Sequence, residues 1–352
     1  MGDGLLVLTG PERFDDVARC GAAAGYAIVR GHPADCRRDW LRAAAVVVDG
    51  GALNELGRRE APQRDGVLLV GAADDDPAAW RAGLLAGARG GYVLPDEEAA
   101  LVAALSALRR PSRHAAGTIA VVGGHGGAGV STLAAAIALA ASRERQPALL
   151  LDVEPGGAGL DLLLGAEQRS GLRWNAVTGQ TGSIGGAALA AALPAAAPGV
   201  GVLTRARDDG APLPEETVLA ALDAGRTNGD LVIADVGRGT GGAAAAVLES
   251  VDLLLIVCTA TVPAVSATRK LVARLPEGPR AVLVVRGPAP GGLTAADVAA
   301  AIGVELLAGL RSEGWLPRCC EAGGLRYRRR SALHAAAHSA LTLARRSGRV
   351  PA

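Results

Sequence analysis

Short apolar runs alternate with alanine-rich or amphipathic segments along most of the chain. In the first third these runs stand at residues 5–9, 26–29, 45–49 and 67–70, and each has the length of a buried strand. This alternation predicts a doubly wound α/β domain in which helices connect parallel strands. We expect this domain to cover residues 1–108.

The same alternation resumes at Thr118 and continues towards the end of the chain. Further strand candidates lie at residues 118–122, 148–152, 201–204, 230–235, 252–257 and 281–285. They predict a second α/β domain over residues 118–352, with a parallel sheet covered by helices on both faces. Residues 109–117 contain a proline and several basic residues, so we expect them to form the linker.

Composition narrows the class of protein. Half of the 352 residues are hydrophobic and the formal net charge is +1, which excludes a disordered chain and gives no general attraction to nucleic acid. Its five cysteines form no C-x-x-C pair, and no signal peptide is recognisable, so we expect a cytoplasmic protein. Glycines and prolines interrupt the uncharged stretch at 174–204, which therefore predicts no transmembrane helix.

The most informative chemistry lies in the segment Gly-Gly-His-Gly-Gly-Ala-Gly-Val-Ser-Thr at residues 123–132. It stands between a predicted strand and a strong helix-forming run, which is the setting of a phosphate-binding loop. The spacing G-x-x-x-x-G-K-[ST] aligns with Gly124, Gly129, Val130 and Ser131, so a valine replaces the expected lysine.

Two features of such a loop do not depend on the lysine. Glycines allow backbone N–H groups to surround an anion, here at Gly126 and Gly127, and the helix N-terminus adds partial positive charge. The Ser131 hydroxyl is placed to hold Mg²⁺, with Thr132 beside it. The alternative is a glycine-rich turn that binds nothing.

Carboxylates at the ends of two later strands fit the same kind of site. Asp152 and Glu154 stand at alternate positions after one buried run, and Asp235 ends another. A carboxylate in such a position can meet Mg²⁺ beside a phosphate loop or orient an attacking water. We predict Asp152 and Asp235 as catalytic residues, Glu154 as a nucleotide-binding residue, and Ser131 with Asp235 as Mg²⁺ ligands. Asp161 is a further candidate near the metal.

The loop and the carboxylates together resemble the MinD/ParA family of deviant P-loop ATPases. Within it, the stretches 152–165, 171–174 and 284–293 resemble the CpaE/TadZ-like branch, which includes septum site-determining (Ssd-type) proteins of actinobacteria. The resemblance implies ATP and Mg²⁺ as cofactors and a homodimer. It also implies that His125 replaces a lysine that reaches the partner's nucleotide and that Val130 replaces the one that holds phosphate. Hydrolysis is then expected to be weak or absent.

The N-terminal half resembles a response-regulator receiver domain, a flavodoxin-like fold. Asp49 ends the third predicted strand, where receivers carry the phosphoacceptor aspartate, but Thr9 and Gly10 replace the acidic pocket and Leu94 replaces the lysine. We therefore expect a degenerate receiver that serves as a docking domain. Phosphorylation at Asp49 is the alternative.

The C-terminal segment 331–346 carries an alanine-rich stripe at helical spacing, preceded by four arginines between 326 and 330. A core helix is favoured over a peripheral membrane-binding helix, because large apolar anchors are missing.

These observations lead to a cytoplasmic CpaE/MinD-like positioning or regulatory protein, recruited to a septum or pole. The resemblance places it in septum-site determination and cell-division regulation, or in localisation of a Tad-type pilus or secretion machinery, whose proteins would be its partners. An active, ATP-dependent dimerising ATPase of the ParA/MinD type is the alternative. A receiver-type signalling protein is a third hypothesis.

Overall fold

In a computed structural model of the chain, the described residues are 4–59, 64, 66–72, 75, 80, 88–108, 117–154, 156–177, 186–207, 212–322 and 324–347. The chain divides into two compact units, Met1–Arg113 and His114–Ala352. The predicted linker at 109–117 lies outside the described residues except for Gly117.

The N-terminal unit is a five-stranded parallel sheet with the strand order β2-β1-β3-β4-β5. Apolar side chains of the strands fill one cluster on each face of this sheet, as expected for buried parallel strands. Its elements are β1 (Gly4–Leu8), α1 (Pro11–Ala23), β2 (Ala27–Arg30), α2 (Arg37–Arg42), β3 (Ala45–Val48), α3 (Gly50–Arg58), β4 (Val67–Gly71), β5 (Gly91–Val93) and α4 (Glu98–Leu108).

The C-terminal unit is built on an eight-stranded sheet with the order β13-β12-β11-β6-β10-β7-β9-β8, in which only the pair β8 and β9 is antiparallel among the described strands. Its first elements are β6 (Thr118–Gly123), α5 (Val130–Arg143), β7 (Ala148–Asp152), α6 (Leu160–Leu164), α7 (Trp174–Val177), α8 (Gly186–Ala192), β8 (Ala195–Ala197), β9 (Val200–Leu203) and α9 (Glu215–Asn228). The later ones are β10 (Leu231–Gly237), α10 (Ala243–Ser250), β11 (Leu253–Thr259), α11 (Val262–Val272), β12 (Arg280–Arg286), α12 (Ala295–Ile302), β13 (Glu305–Leu310), α13 (Trp315–Glu321) and α14 (Ala332–Ser347).

Alternate residues of the central strands pack on opposite faces of this sheet. In β6, Ile119 and Val121 join the cluster beneath α5 and α14, whereas Ala120 and Val122 join the cluster beneath α9 to α12. The α/β fold predicted from the apolar runs is therefore confirmed for both units.

Two strands of the C-terminal sheet were not predicted. β8 is three alanines, and β13 is an edge strand in which Glu305 and Leu306 are exposed. Both lie at an end of the sheet, and their residues are mostly exposed or half-buried, unlike those of a strand that is covered on both faces.

The final helix, α14, packs against α5 with one face. Leu333, Ala337, Leu341 and Ala344 on that face are all buried. This confirms the prediction of a core helix. Within the part of the chain that the structure describes, we find no helix with the length and apolar character needed to cross a membrane.

Candidate functional site

The glycine-rich loop connects the carboxyl end of β6 to the start of α5. Gly127 and Gly129 have φ values of +70° and +103°, a region that side chains with a Cβ rarely adopt. A Cβ at Gly124 would lie 2.4 Å from the Cα of Thr268 on α11. Glycine is therefore required at these three positions for the loop to keep its conformation, and backbone N–H groups at the start of α5 remain open to an anion.

Val130 is the first residue of α5, and its side chain is only 7% exposed. Its Cγ2 atom lies 2.7 Å from the position that a Cβ on Gly123 would take, so the valine packs back onto the end of β6. Val130 can offer its backbone N–H to a ligand but no charge.

Ser131 and Asp235 form the polar centre of the site. The Ser131 side chain lies close enough to the Asp235 carboxylate to favour its charged form, and that carboxylate accepts a hydrogen bond from the backbone N–H of Gly237 at 3.1 Å. Asp235 is 1% exposed and stands in register with Asp152 on the neighbouring strand β7. Parallel register thus brings the two predicted carboxylates to one edge of the sheet beside the loop.

Both carboxylates hold protons more tightly than usual. Burial, followed by the negative charge of Asp235, raises the pKa of Asp152 to about 7, and burial raises the pKa of Asp235 to about 6. Each has a backbone partner, since Asp152 accepts from the Leu160 N–H at 3.1 Å. The elevated pKa values mean that the surroundings do not fully neutralise two negative charges. A cation bound here would do so.

The chemistry of these donors fits Mg²⁺ bound together with a phosphate. Hydroxyl and carboxylate oxygens are ligands that Mg²⁺ accepts, and phosphate and water oxygens usually complete its shell. Among the described residues, no three His, Cys, Asp or Glu side chains come together in a way that could hold a metal ion. The protein groups therefore suit an ion that arrives with a nucleotide rather than one held by the protein alone.

Glu154 lies beside the turn that follows β10. Its Oε2 accepts a hydrogen bond from the backbone N–H of Arg238 at 2.8 Å. Gly237, with φ +60°, passes so close that a Cβ there would lie 1.6 Å from the same oxygen. Glu154 thus holds the turn after β10 against the segment that follows β7, and one of its oxygens is already occupied.

Asp161, the further candidate from the sequence, is paired with two arginines. It is 2% exposed, and its two oxygens pair with Arg207 at 3.1 Å and Arg173 at 3.3 Å. Two arginines neutralise this carboxylate, so it serves as an anchor for the segment after β9.

His125 is engaged within its own unit. Its Nδ1 lies 2.8 Å from the carbonyl oxygen of Gly126, and its Nε2 lies 3.2 Å from the backbone N–H of Thr259 at the end of β11. These contacts are satisfied together when Nδ1 carries the proton and Nε2 accepts. The ring fastens the loop to β11 in this conformation.

Two arginines lie next to the loop. Arg286, the last residue of β12, donates from Nη2 to the carbonyl oxygen of Gly127 at 2.7 Å. Arg238 follows β10, and its Nη1 lies 4.0 Å from the position of a Cβ on Gly126. Arg286 was not singled out from the sequence. The signal was present, because an arginine at the carboxyl end of a buried parallel strand must lie at the edge that carries the loop.

Comparison with known proteins gives the family. Residues 7–116 match the family described as "Rv3660c-like, CheY-like N-terminal domain". Two Mycobacterium tuberculosis proteins, Rv3660c and MT3760 from different strains, are each 39% identical over 349 residues, which span 97% of this chain and 98% of theirs. The chain belongs to the Rv3660c-like family.

Solved structures define the fold of the C-terminal unit in this Rv3660c-like protein. A ParA family ATPase from Chlorobium tepidum covers 65% of the chain with a TM-score of 0.55 and 19% identity, and 99% of that protein is matched. The MinD cell division protein of Aquifex aeolicus covers 64% with a TM-score of 0.54 and 19% identity, and 98% of it is matched. The Rv3660c-like protein thus joins a CheY-like N-terminal domain to a unit with the MinD/ParA P-loop ATPase fold.

In the CheY-like domain, Asp49 is held by the backbone. Its Oδ2 accepts from the Gly10 N–H at 2.6 Å, and its Oδ1 accepts from the Ala52 N–H at 2.8 Å, where Asp49 caps α3. The carboxylate is 7% exposed. Its geometry is that of a structural cap that joins the start of α1 to the start of α3.

Proposed function

We propose that this Rv3660c-like protein is a MinD/ParA-like positioning or regulatory protein that binds ATP with Mg²⁺ and hydrolyses it slowly or not at all. One observation carries the proposal. Parallel register places the buried carboxylates of Asp152 and Asp235 side by side, next to Ser131 in the first turn of the helix that follows the glycine loop. Two buried carboxylates whose charges are incompletely neutralised are unfavourable, and a turn that binds no ligand gives no reason for placing them at the same edge of the sheet.

Each group of the site would have its own role in binding the nucleotide and Mg²⁺. Backbone N–H groups from Gly127 to Ser131 would hold the phosphates, and Ser131 and Asp235 would hold Mg²⁺. When bound, Mg²⁺ neutralises charge on the phosphates. Asp152 would accept a hydrogen bond from a water next to the terminal phosphate, and its raised pKa makes it able to hold a proton near neutral pH.

The valine at position 130 is the reason for expecting slow ATP hydrolysis. A fixed cation that stabilises the charge of a transferring phosphoryl group typically contributes roughly 100-fold or more to the rate. The buried valine cannot supply that charge. The nucleotide would then act mainly as a ligand that selects one conformation or assembly of the protein.

The cellular role follows from the resemblance to the CpaE/TadZ-like branch. We propose that the protein acts as a homodimer in septum-site determination or in localisation of a Tad-type machine, and that its CheY-like domain docks on a protein of that machinery. The MinD neighbour is a cell division protein, and the fold that it shares with this chain supports the first of these roles. The bonds that Asp49 makes with two backbone N–H groups favour docking over phosphorylation.

A working ATPase is the second candidate, and a specific observation favours it. Arg238 and Arg286 lie next to the loop and bring positive charge to the side of the phosphate site. In phosphoryl transfer an arginine can supply the charge that a loop lacks. Turnover therefore has to be measured separately from binding.

Calorimetric titration of the full chain with ATP and with ADP, in Mg²⁺ and in EDTA, tests the proposal. We expect Mg²⁺-dependent binding that Asp235→Asn weakens at least about tenfold, because the variant removes a metal ligand. Glu277→Gln is the matched control, since it neutralises an exposed carboxylate outside the site. A wild-type protein that binds neither nucleotide would refute the proposed function.

A further inference from the structure

Compared with a complete phosphate-binding loop, this loop lacks a positively charged side chain. The carboxylates of Asp152 and Asp235 lie in register beside the loop, Glu154 follows the same strand as Asp152, and the first residue of α5 is a buried valine. Backbone N–H groups and the end of α5 supply only partial charges. An anion with several negative charges needs a full positive charge close to it.

Arg286 is placed to supply that charge. β12 runs parallel to β11, and Arg286 stands in register with Thr259, the residue that holds His125. The arginine side chain runs along the loop, with Cδ and Nε 3.8 and 3.9 Å from the position of a Cβ on Gly129. Its guanidinium therefore lies beside the glycine immediately before α5.

The hydrogen bonds of Arg286 leave part of the guanidinium unused. Nη2 donates to the Gly127 carbonyl oxygen at 2.7 Å, which fixes the orientation of the planar group. Nε is buried and has no hydrogen-bond partner among the described residues. A buried donor without a partner is costly, and a small movement of the side chain that turns Nε towards a bound phosphate oxygen would satisfy it.

We infer that Arg286 is a phosphate-binding residue of this site and provides, from the end of β12, positive charge for nucleotide binding, while the transferring phosphoryl group still lacks the cation that Val130 cannot provide. Its ligand is the phosphate chain of a nucleoside di- or triphosphate, so the inference rests on the proposed function. Arginine suits the role because its charge is permanent and its planar donors match phosphate geometry. Arg238, on the other side of the loop, adds a second and more exposed charge.

A purely structural role is the competing explanation, because the bond to Gly127 alone could fix the loop. The two explanations predict different effects when Arg286 is replaced. If Arg286 provides charge, Arg286→Lys retains part of the binding, and a lysine at position 130 makes Arg286 dispensable. If Arg286 only fixes the loop, a new charge at position 130 does not compensate for its loss.

The test is equilibrium binding of a fluorescent ADP analogue to the full chain in Mg²⁺, at several salt concentrations. Arg286→Ala is expected to weaken binding roughly 10- to 100-fold and to make it less dependent on salt, whereas Arg286→Lys loses less. Arg280→Ala is the matched control, because Arg280 begins the same strand at the opposite edge and pairs with Glu305 on the surface. It should bind like the wild type.

A double-mutant cycle with Val130→Lys completes the test. In that background the loss caused by Arg286→Ala should shrink to less than about threefold, since the lysine then supplies the charge. Wild-type-like binding by Arg286→Ala, or an equal loss in both backgrounds, would overturn the inference and leave the proposed function standing. Absence of binding by the wild type would instead refute the proposed function itself. Thermal melting of each variant identifies any that fail to fold, and Arg286→Lys then decides the outcome.

Discussion

Asp152 is a buried carboxylate whose pKa is raised to about 7 by burial and by the charge of Asp235. Because its pKa in the unfolded chain is lower, the folded protein binds more protons between pH of about 4 and 7. The free energy of unfolding therefore falls as pH rises through that window and levels off above it. This contribution to stability is fully present at low pH and lost near neutrality.

Replacing Asp152 by asparagine should remove this pH dependence without removing the acceptor for the Leu160 N–H. In EDTA we expect Asp152→Asn to raise the unfolding free energy by about 1 to 3 kcal/mol at pH 8 and to change it little near pH 4. Denaturant melts across pH provide the measurement, with Glu277→Gln as control. A variant less stable than the wild type at pH 8 would contradict the assigned pKa shift.

Asp49 allows a second prediction for a single residue. Asp49→Ala removes the acceptor of the Gly10 and Ala52 N–H groups, so the CheY-like domain should lose about 1 to 3 kcal/mol of stability. Asp96→Ala, at an exposed position, should change it by less than about 0.5 kcal/mol. Mass spectrometry after treatment with acetyl phosphate should detect no phosphoryl group on Asp49. A stoichiometric Asp49 phosphate would show that the cap opens and that the domain acts as a receiver.

How far the sequence predicted the site depended on whether each residue belonged to a local pattern. Gly124, Gly129, Ser131, Asp152 and Asp235 follow from strand ends and loop spacing, which parallel register then brings together. The partners of Asp161 and His125 could not be predicted, since Arg207 and Thr259 are distant in sequence and only packing brings them near. Arg286 reaches the loop for the same reason.

Among the secondary-structure elements, buried strands were the most predictable because parallel strands covered on both faces need continuous apolar runs. β6, β7, β10, β11 and β12 have such runs. β13 is an end strand whose residues are mostly exposed or half-buried, and its pairing to β12 depends on tertiary structure. In the C-terminal sheet, the two end strands are therefore the elements that the pattern alone left out.

Helix α14 provides a prediction for an element. Leu341 of α14 is fully buried in the cluster that α14 forms with α5. Leu341→Ala should therefore cost about 2 to 4 kcal/mol of stability. Ser339→Ala on a partly exposed position of the same helix should cost less than about 0.5 kcal/mol. Chemical denaturation compares the two variants. A Leu341→Ala protein as stable as the wild type would mean that α14 does not belong to the core.

For the molecule as a whole, the division into two compact units predicts a selective effect of nucleotide. Mg-ATP at 100 times its dissociation constant should stabilise the C-terminal unit by about 2.7 kcal/mol, because it binds only the folded state of that unit. Differential scanning calorimetry should show a higher melting temperature for the C-terminal unit and an unchanged one for the CheY-like domain. Asp235→Asn should abolish the shift. A rise in melting temperature confined to the CheY-like domain would show that the nucleotide binds there, which contradicts a site in the C-terminal unit.

In the proposed function, a nearly complete nucleotide site lacks catalysis because residue 130 is a valine. Phosphate release by the wild type and by Val130→Lys, both saturated with Mg-ATP, tests it most directly. We predict near-background turnover for the wild type and a rate roughly 100-fold or more higher for the variant, because lysine restores the cation at the phosphates. Equal turnover by the two proteins would contradict the claim.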